Sequence, residues 1–367
     1  MECRVSSPES LIRLIGTPRE QGRQHGSRAR DAIYENLAIA QRALARNSDR
    51  SSAVEAERLL VANEAYAARC APEILEEIGG IAEGAGVDYR DVLRLNLPVF
   101  LVWSFMPLDC SQILVRPPAV ADGRTYLAKT RDVGFARLRH VVLQRCHSEG
   151  HETAEVSVAG SITWPGSGLT SRGLAFSTSG VWSRRMTFAP EAARTAWLLT
   201  NTGLLLRDSA DAADFADRLR VQPRWTSMNL LVADDRSAVA LEAMPDRVVA
   251  ARPADGVLIR TNHFLDPELA QLGPRRDENP SSYYRFSVAS RSVQASHGRW
   301  THDALADLLT SHDGFPDLSL CRHRVDGKGS WTLYASIANV TNRRFTVLLG
   351  NPCQALPAMA GVRDQIE

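Results

Sequence analysis

Cys110 and Asp132 are two residues whose types and placement could support nucleophilic chemistry. Cys110 begins a run of strand-forming residues, and Asp122-Gly123 is a dipeptide typical of the turn that closes a β-hairpin. This turn would fold the strand back onto a second strand at 125–133, so we expect Asp132 to lie within a few residues of facing Cys110. A thiol and a carboxylate at one end of a two-stranded ribbon could form a nucleophilic site. A buried structural cysteine beside a surface aspartate is the alternative interpretation.

Other residues capable of metal or covalent chemistry form weaker patterns. Cys146, His147 and His151 could be metal ligands, but their spacing is loose, no second cluster accompanies them and the HExxH pattern is absent. A solvated loop is therefore the favoured interpretation of this segment. The chain has two lysines, Lys129 and Lys328, which limits any Schiff-base chemistry to these positions. The GxSxG pattern of a serine nucleophile and the phosphate-binding P-loop are also absent. Since the Cys/His pattern is weak as well, we expect neither a metal nor a cofactor.

Composition and charge exclude several classes of protein. The chain has 367 residues, of which 44% are hydrophobic and 23% charged, which is typical of a globular protein and excludes a disordered chain, a collagen or a coiled coil. The net charge of +1 provides no long-range field for nucleic acid or anionic lipid. The most apolar run, residues 97–106, is shorter than the roughly 20 residues of a membrane span. Six scattered cysteines and no secretory signal lead us to expect a cytoplasmic protein.

The elements that must position these residues change in type near residue 107. The first hundred residues predict helices, because apolar residues recur there at helical spacing. Beyond that point short strand-like runs are bounded by turns and are grouped rather than strictly alternating with helices, which favours a layered α+β fold over a doubly wound parallel sheet. Predicted helices cover 29–45, 53–70, 73–83, 191–207, 210–220, 282–295 and 302–311, and predicted strands cover 111–116, 125–133, 155–158, 174–179, 228–233, 238–243, 257–261, 331–340 and 344–349.

Six short motifs together resemble one family. In chain order they are GTPREQGRQHG at 16–26, DCS at 109–111 with the strand ending at Asp132, GLTSRGL at 168–174, TNHF at 261–264, SLCRH at 319–323 and GNPC at 350–353. Each motif is weak alone, but their order and spacing resemble the family of acyl-coenzyme A:6-aminopenicillanic acid acyltransferase. That family belongs to the N-terminal-nucleophile (Ntn) hydrolases, whose more distant relatives are bile-salt hydrolases and penicillin V acylases.

The resemblance implies a fold and a maturation step. It implies a four-layer αββα sandwich and an inactive precursor that cuts itself between Asp109 and Cys110. A helical segment 1–109 would remain bound to a chain 110–367 that begins with Cys110. A cysteine thiol has a pKa near 8.5, so little of it is thiolate at neutral pH. The free α-amine of the same residue, with a pKa of about 7.7–8.0, can take its proton, so no histidine partner is required.

The resemblance also assigns roles to individual residues. Asp132 would hold the new α-amine or orient Cys110, the amide of Asn262 would help form the oxyanion hole, and Arg322 would fix a carboxylate or polarise the site. Thr170, His263 and Lys129 would lie at the oxyanion hole or pocket. The chain departs from the family pattern at two of these places, because Asp109 replaces the glycine common before the cysteine and Thr170 replaces an asparagine.

The implied activity is acyl transfer through an acyl-Cys110 intermediate. The donor would be an amide or thioester such as an acyl-CoA, and the acceptor would be water or an amine, so the sequence leaves hydrolase and transferase open. Secondary metabolism is the expected setting, and we expect no nucleic-acid or membrane partner. An apolar pocket is expected near Trp164, Phe176, Trp182 and Phe264. The alternative is a degenerate Ntn-fold protein that binds a small ligand without turnover.

Overall fold

Two β-sheets form the centre of the molecule. The computed structural model describes residues 1–47, 50–96, 108–134, 138–164, 166–184, 202–222, 224, 227–326 and 329–361. The six-stranded sheet has the order β1 (Glu2–Val5), β14 (Arg344–Leu349), β13 (Trp331–Asn339), β4 (Tyr126–Val133), β3 (Leu108–Val115) and β12 (Val257–Arg260). The eight-stranded sheet has the order β11 (Val248–Ala251), β10 (Ala238–Ala243), β9 (Met228–Ala233), β8 (Ala175–Gly180), β7 (Ser167–Thr170), β6 (Glu152–Val158), β5 (His140–Cys146) and β2 (Leu11–Leu14).

Helices cover both outer faces. The helices of the described residues are α1 (Pro18–Arg28), α2 (Arg30–Asn47), α3 (Arg50–Cys70), α4 (Pro72–Ala85), α5 (Tyr89–Asn96), α6 (Thr202–Asp208), α7 (Ala212–Val221), α8 (Pro267–Ala270), α9 (Pro280–Ala295), α10 (His302–Leu309) and α11 (Pro352–Gly361). None of the helices in the described part of the chain is both long and apolar enough to cross a membrane.

The apolar side chains of alternate strand positions order these elements into four layers. Leu114 and Leu127 of the six-stranded sheet meet Val156 and Leu231 of the eight-stranded sheet in a core between the two sheets. On the other face of the six-stranded sheet, β-strand residues such as Ile113 pack against α9, α10 and α11. Helices α1–α5, α6 and α7 cover the outer face of the eight-stranded sheet. The predicted αββα sandwich is confirmed by this layer order.

The segment before Cys110 is not wholly helical, which corrects the prediction from the sequence. Strands β1 and β2 lie within its first 14 residues, and each joins the edge of a different sheet by parallel pairing, β1 with β14 and β2 with β5. Four-residue edge strands carry too few alternating positions to be recognised from the sequence alone. The predicted helix 191–207 falls mostly outside the described residues, and its described end forms α6.

The motif at 16–26 is explained by the packing of α1. Thr17 and Glu20 form a reciprocal capping box at the start of this helix. A Cβ atom added at Gly22 would lie 2.2 Å from the carbonyl oxygen of Glu77 in α4, so the glycine allows the two helix backbones to touch. Further along α1, the buried His25 accepts a hydrogen bond of 3.0 Å from the backbone N–H of Gly160. The residues of the 16–26 motif therefore serve helix packing rather than catalysis.

Candidate active site

The β3–β4 hairpin sets which side chains share a face around Cys110. Cys110 lies opposite Arg131, and Asp109 lies opposite Asp132. Directly opposed residues of an antiparallel pair point to the same face, whereas neighbours along a strand point to opposite faces. Asp132 therefore shares a face with Asp109 rather than with the Cys110 thiol. Asp132 thus lies one residue from the position that faces Cys110, within the range that the hairpin predicted, and the pairing ends at Val115 and Tyr126, before the Asp122-Gly123 turn.

Asp109 is held by two arginines on the helix-covered face of the six-stranded sheet. Its Oδ1 accepts a hydrogen bond of 3.0 Å from Nη2 of Arg285, and its Oδ2 accepts one of 2.8 Å from Nη1 of Arg322. Burial alone would raise the pKa of Asp109, but the two guanidinium groups lower it below its ordinary value. Asp109, the residue before the expected cleavage point, is thus ionised, and its two ion pairs hold the start of β3 in place.

Asp132 is fully buried beside the same arginines. Its Oδ1 accepts a hydrogen bond of 2.7 Å from the hydroxyl of Thr332, and its Oδ2 lies 3.8 Å from Nε of Arg322. Burial raises the pKa of Asp132 to about 6, although the nearby Arg322 and Arg285 act in the opposite direction. Asp132 therefore holds a proton to a higher pH than an exposed aspartate does.

Asn262 contacts the backbone of Cys110 directly. Its Oδ1 accepts a hydrogen bond of 2.8 Å from the Cys110 N–H, and its Nδ2 donates one of 2.8 Å to the Gly180 carbonyl. Asn262 follows β12, which pairs with β3 through Arg260 and Gln112, so the sheet register brings it beside the nucleophile. Its own backbone N–H donates to Ser282 Oγ at 2.8 Å, which ties this residue to α9.

Arg285 is a site residue that the sequence analysis missed. Its Nη1 donates to the Cys110 carbonyl at 2.5 Å and to Ser111 Oγ at 2.8 Å, and its Nη2 also reaches Asn262 Oδ1 at 2.8 Å. The side chain is completely buried. A usable sequence signal existed, because Arg285 lies at helical spacing between the buried Ser281 and the buried Val288 of α9. A charged residue on the buried face of a helix requires partners in the interior.

The Cys110 side chain faces the space between the two sheets. Gln112, two residues further along β3, donates a hydrogen bond of 2.7 Å to Ser179 in the eight-stranded sheet. Lys129 is fully buried on this face, where Nζ donates to the Gly166 carbonyl at 3.0 Å and to Thr178 O. Burial lowers the pKa of Lys129 to about 7. Arg131, which faces Cys110 across the hairpin, lies on the same side of the sheet as this lysine.

Residues 120–354 match a family described as acyl-coenzyme A:6-aminopenicillanic acid acyl-transferase. The chain belongs to this family. It is also 25% identical over 349 residues to the acyl-coenzyme A:6-aminopenicillanic-acid-acyltransferase 40 kDa form of Emericella nidulans, a match that covers 92% of this chain and 91% of that protein. The family therefore confirms the predicted enzyme class, which acts on amide or thioester bonds.

Solved structures of two further enzymes are similar to parts of the chain. A mutant form of conjugated bile acid hydrolase from Clostridium perfringens has a TM-score of 0.37 at 10% identity and covers 63% of this chain and 86% of that one. Penicillin V acylase from Agrobacterium tumefaciens has a TM-score of 0.41 at 13% identity and covers 65% of this chain and 83% of that one.

Two family-derived positions lie away from the site or act indirectly. The N–H of Thr170 donates to the Leu174 carbonyl at 2.8 Å within the turn between β7 and β8, so it is used there and is not presented to an oxyanion. His263 is buried against α9, where Nδ1 lies 2.8 Å from Ser282 Oγ and the ring stacks on Tyr283 with centroids 3.9 Å apart. Burial lowers the pKa of His263 to about 4, and the residue anchors the loop that carries Asn262.

The predicted apolar pocket is only partly present. Trp164 lies beneath Arg131, whose guanidinium carbon is 5.5 Å from the centroid of the indole ring, on the thiol side of the sheet. Phe176 instead packs with α6 and α7 on the outer face of the eight-stranded sheet. Trp182 is largely exposed, and Phe264 packs in a small separate cluster. The strand alternation explains the error, because closeness in sequence to a motif does not fix the face on which a side chain lies.

Proposed function

We propose that the chain is a self-processing cysteine acyltransferase or amidohydrolase in which Cys110 is the nucleophile. The observation that carries this proposal is the fixation of both sides of Cys110. Its N–H is bound by Asn262 Oδ1, its carbonyl by Arg285, and the preceding Asp109 side chain by Arg285 and Arg322. The N–H of the Asp109–Cys110 bond is held by Asn262, and the Asp109 side chain and the Cys110 carbonyl on either side of that bond are held by arginines, which suits an intramolecular attack by the Cys110 thiol.

Maturation would begin with attack of the Cys110 thiol on the carbonyl carbon of Asp109. The Asp109–Cys110 C–N bond breaks, the nitrogen takes up the thiol proton, and a thioester joins the two residues. Water then hydrolyses the thioester, which leaves an α-carboxylate on Asp109 and a free α-amine on Cys110. The same Asn262 oxygen that binds the Cys110 N–H in the intact chain would hold this α-amine. The products would be the chains 1–109 and 110–367, paired as a heterodimer.

Turnover would use the same nucleophile with an external donor. The α-amine takes the thiol proton, the thiolate attacks an amide or thioester carbonyl, and the leaving amine or thiol departs with a proton while the acyl group remains on Cys110. Water or an amine then accepts the acyl group. The relative's name supports an acyl-coenzyme A donor and an amine acceptor.

The mass of the purified protein tests the proposal. The wild-type chain of 40.3 kDa should yield fragments of about 12 and 28 kDa on denaturation, whereas Cys110→Ala should remain one inactive chain, because the thiol attacks first in both steps. Cys146→Ser, which replaces a partly buried cysteine elsewhere in the chain, should cleave like the wild type. Cleavage in Cys110→Ala would show that an external protease cuts the chain. Complete cleavage without consumption of any acyl donor would favour the ligand-binding alternative.

A further inference from the structure

Four potential metal ligands converge around Cys321 and His323, the two neighbours of Arg322 in the chain. His312, Cys321, His323 and Cys353 each offer one ligand atom, and these four atoms all lie within 4.8 Å of one another. Nε2 of His323 lies 3.0 Å from Nε2 of His312, 3.6 Å from Sγ of Cys321 and 3.1 Å from Sγ of Cys353. The sequence analysis missed this group and predicted no metal, because its members are separated in the chain and form no CxxC pattern.

The distances around His323 are compatible with tetrahedral zinc coordination. With Zn–S bonds of about 2.3 Å and Zn–N bonds of about 2.0–2.1 Å, the ligand atoms of a tetrahedral site are about 3.3–3.8 Å apart. The three distances around His323 lie in or just below this range. Two thiolates and two imidazoles are a common ligand set of structural zinc sites, and a tetrahedral S₂N₂ arrangement favours zinc over harder cations.

Hydrogen bonding alone accounts poorly for this arrangement. One imidazole nitrogen either donates a single proton or accepts with a single lone pair. Nε2 of His323 nevertheless has three polar neighbours at hydrogen-bond distance, namely a histidine nitrogen and two sulfurs. A cation at the centre of the group would be bound by all four ligands at once and would remove this conflict.

The surrounding backbone is suited to hold such ligands in place. Cys321 and His323 flank Arg322 in one loop, and Cys353 lies in the first turn of α11. Nδ2 of Asn351 lies 3.9 Å from Sγ of Cys321 and also donates to the Arg322 carbonyl. Amide contacts of this kind to ligating atoms are typical of the outer layer of metal sites.

We propose that His312, Cys321, His323 and Cys353 bind one structural zinc ion. The ion would join the loop that follows α10 to the start of α11. Arg322 lies between two of the ligands, and its guanidinium binds Asp109. The ion would therefore be connected to the candidate active site through Arg322. This proposal is independent of the proposed function, since it concerns neither Cys110 nor cleavage.

Metal analysis of the full chain tests the proposal in the Cys110→Ala background, where self-cleavage and the Cys110 thiol cannot contribute. The purified protein, dialysed against metal-free buffer, should retain about one zinc per chain. Cys353→Ser and His323→Gln should each lower this content at least about tenfold. Cys146→Ser with His147→Gln removes a Cys/His pair outside the proposed site and should retain the zinc. The same zinc content is expected for the cleaved wild-type protein.

Cobalt binding to metal-free protein supplies a second readout, which does not depend on the metal that the chain acquires during expression. Metal-free parent protein titrated with Co²⁺ should develop the intense visible bands of tetrahedral cobalt with thiolate ligands at one equivalent, and Cys353→Ser should not. Alkylation of the denatured, unreduced protein should label both Cys321 and Cys353. A chain that holds no zinc and gives no cobalt bands, or one in which these two cysteines are joined by a disulfide, would overturn the proposal.

Discussion

The side chains of Asp109 and Cys110 point to opposite faces of the six-stranded sheet. The residues on either side of the expected cleavage point therefore lie in two different chemical environments. On the helix-covered face, Asp109 and Asp132 are buried among guanidinium groups. On the inter-sheet face, the thiol shares its surroundings with Lys129 and Arg131. Strand alternation alone therefore divides the site into a part that fixes the backbone and a part that receives the nucleophile.

The raised pKa of Asp132 predicts a specific dependence of stability on pH. The groups that face this carboxyl are Arg322, Arg285, Asp109 and the Thr332 hydroxyl. Between its ordinary pKa of 3.8 and its folded value of about 6, the folded chain keeps a proton that the unfolded chain releases. Raising the pH through this window therefore lowers the free energy of unfolding. This loss of stability is complete above the pKa that Asp132 has in the folded chain.

Asp132→Asn should remove this fall in stability with rising pH, because asparagine occupies the same volume as aspartate and cannot ionise. In the Cys110→Ala background, the unfolding free energy of the Asn variant relative to its parent should rise by about 2 kcal/mol between about pH 4 and pH 7 and then stay level. Urea unfolding at several pH values measures this difference. A difference that does not change with pH would show that Asp132 ionises at its ordinary pKa in the folded protein.

At this scale the sequence predicted which residues meet but not how they are oriented. Asp132, Asn262 and Arg322 do gather around Asp109–Cys110, as the motifs implied. Arg285 belongs to no motif, and its role depends on a helix position that only the packing of α9 reveals. The role expected for Thr170 was wrong for a similar reason. This residue matches a motif, but its N–H donates a hydrogen bond within a local turn.

Among the elements, the contact between α1 and α4 depends most on small residues. Gly22 of α1 and Gly80 of α4 lie where the two backbones touch, and a Cβ atom added at Gly80 would be 2.2 Å from the Arg19 carbonyl oxygen. The neighbouring Gly79 has no heavy atom within 4 Å of such a Cβ position. One helix thus contains a glycine that the packing requires and an adjacent glycine that it does not.

Alanine at these two positions should have opposite effects on stability. Gly80→Ala forces the helices apart and should lower the unfolding free energy by about 1–3 kcal/mol. Gly79→Ala meets no neighbour and should raise it by up to about 1 kcal/mol, because alanine loses less backbone entropy in a helix. Urea unfolding of both variants in the Cys110→Ala background provides the comparison. Equal effects of the two substitutions would contradict the close approach of α1 and α4.

Clear periodicity decided which parts of the fold could be predicted from the sequence. The long amphipathic stretch at 29–45 became α2, and the alternating run at 125–133 became β4. The four-residue strands β1, β2, β7 and β11 were missed, because so short a run shows periodicity poorly. The seven-residue β5 was missed as well, because its residues are buried on both faces of the sheet and do not alternate between apolar and polar types. Strands β1 and β2 form by pairing with strands distant in sequence, so tertiary pairing rather than local preference decides them, whereas β7 and β11 pair with their neighbours in the chain.

At the scale of the whole molecule, the segment before Cys110 belongs to three of the four layers. Its strand β1 pairs with β14 in one sheet and its strand β2 pairs with β5 in the other. Its helices share an apolar core with Leu143 and Val158 of the eight-stranded sheet. A cut at residue 109 would therefore divide the chain but not the core, and separating the pieces would expose this apolar surface to water.

Cleaved protein is thus expected to keep the size of the uncut chain. Under native conditions, the wild type should elute from a size-exclusion column as one species that contains both fragments, at the same volume as uncut Cys110→Ala. In strong denaturant the fragments should separate, because no covalent link remains between them and unfolding removes both the strand pairing and the shared core. Mass spectrometry of the eluted fractions identifies the pieces. Elution of 1–109 apart from 110–367 in native buffer would show that this segment is a removable propeptide, and the pairing of β1 and β2 would then not survive maturation.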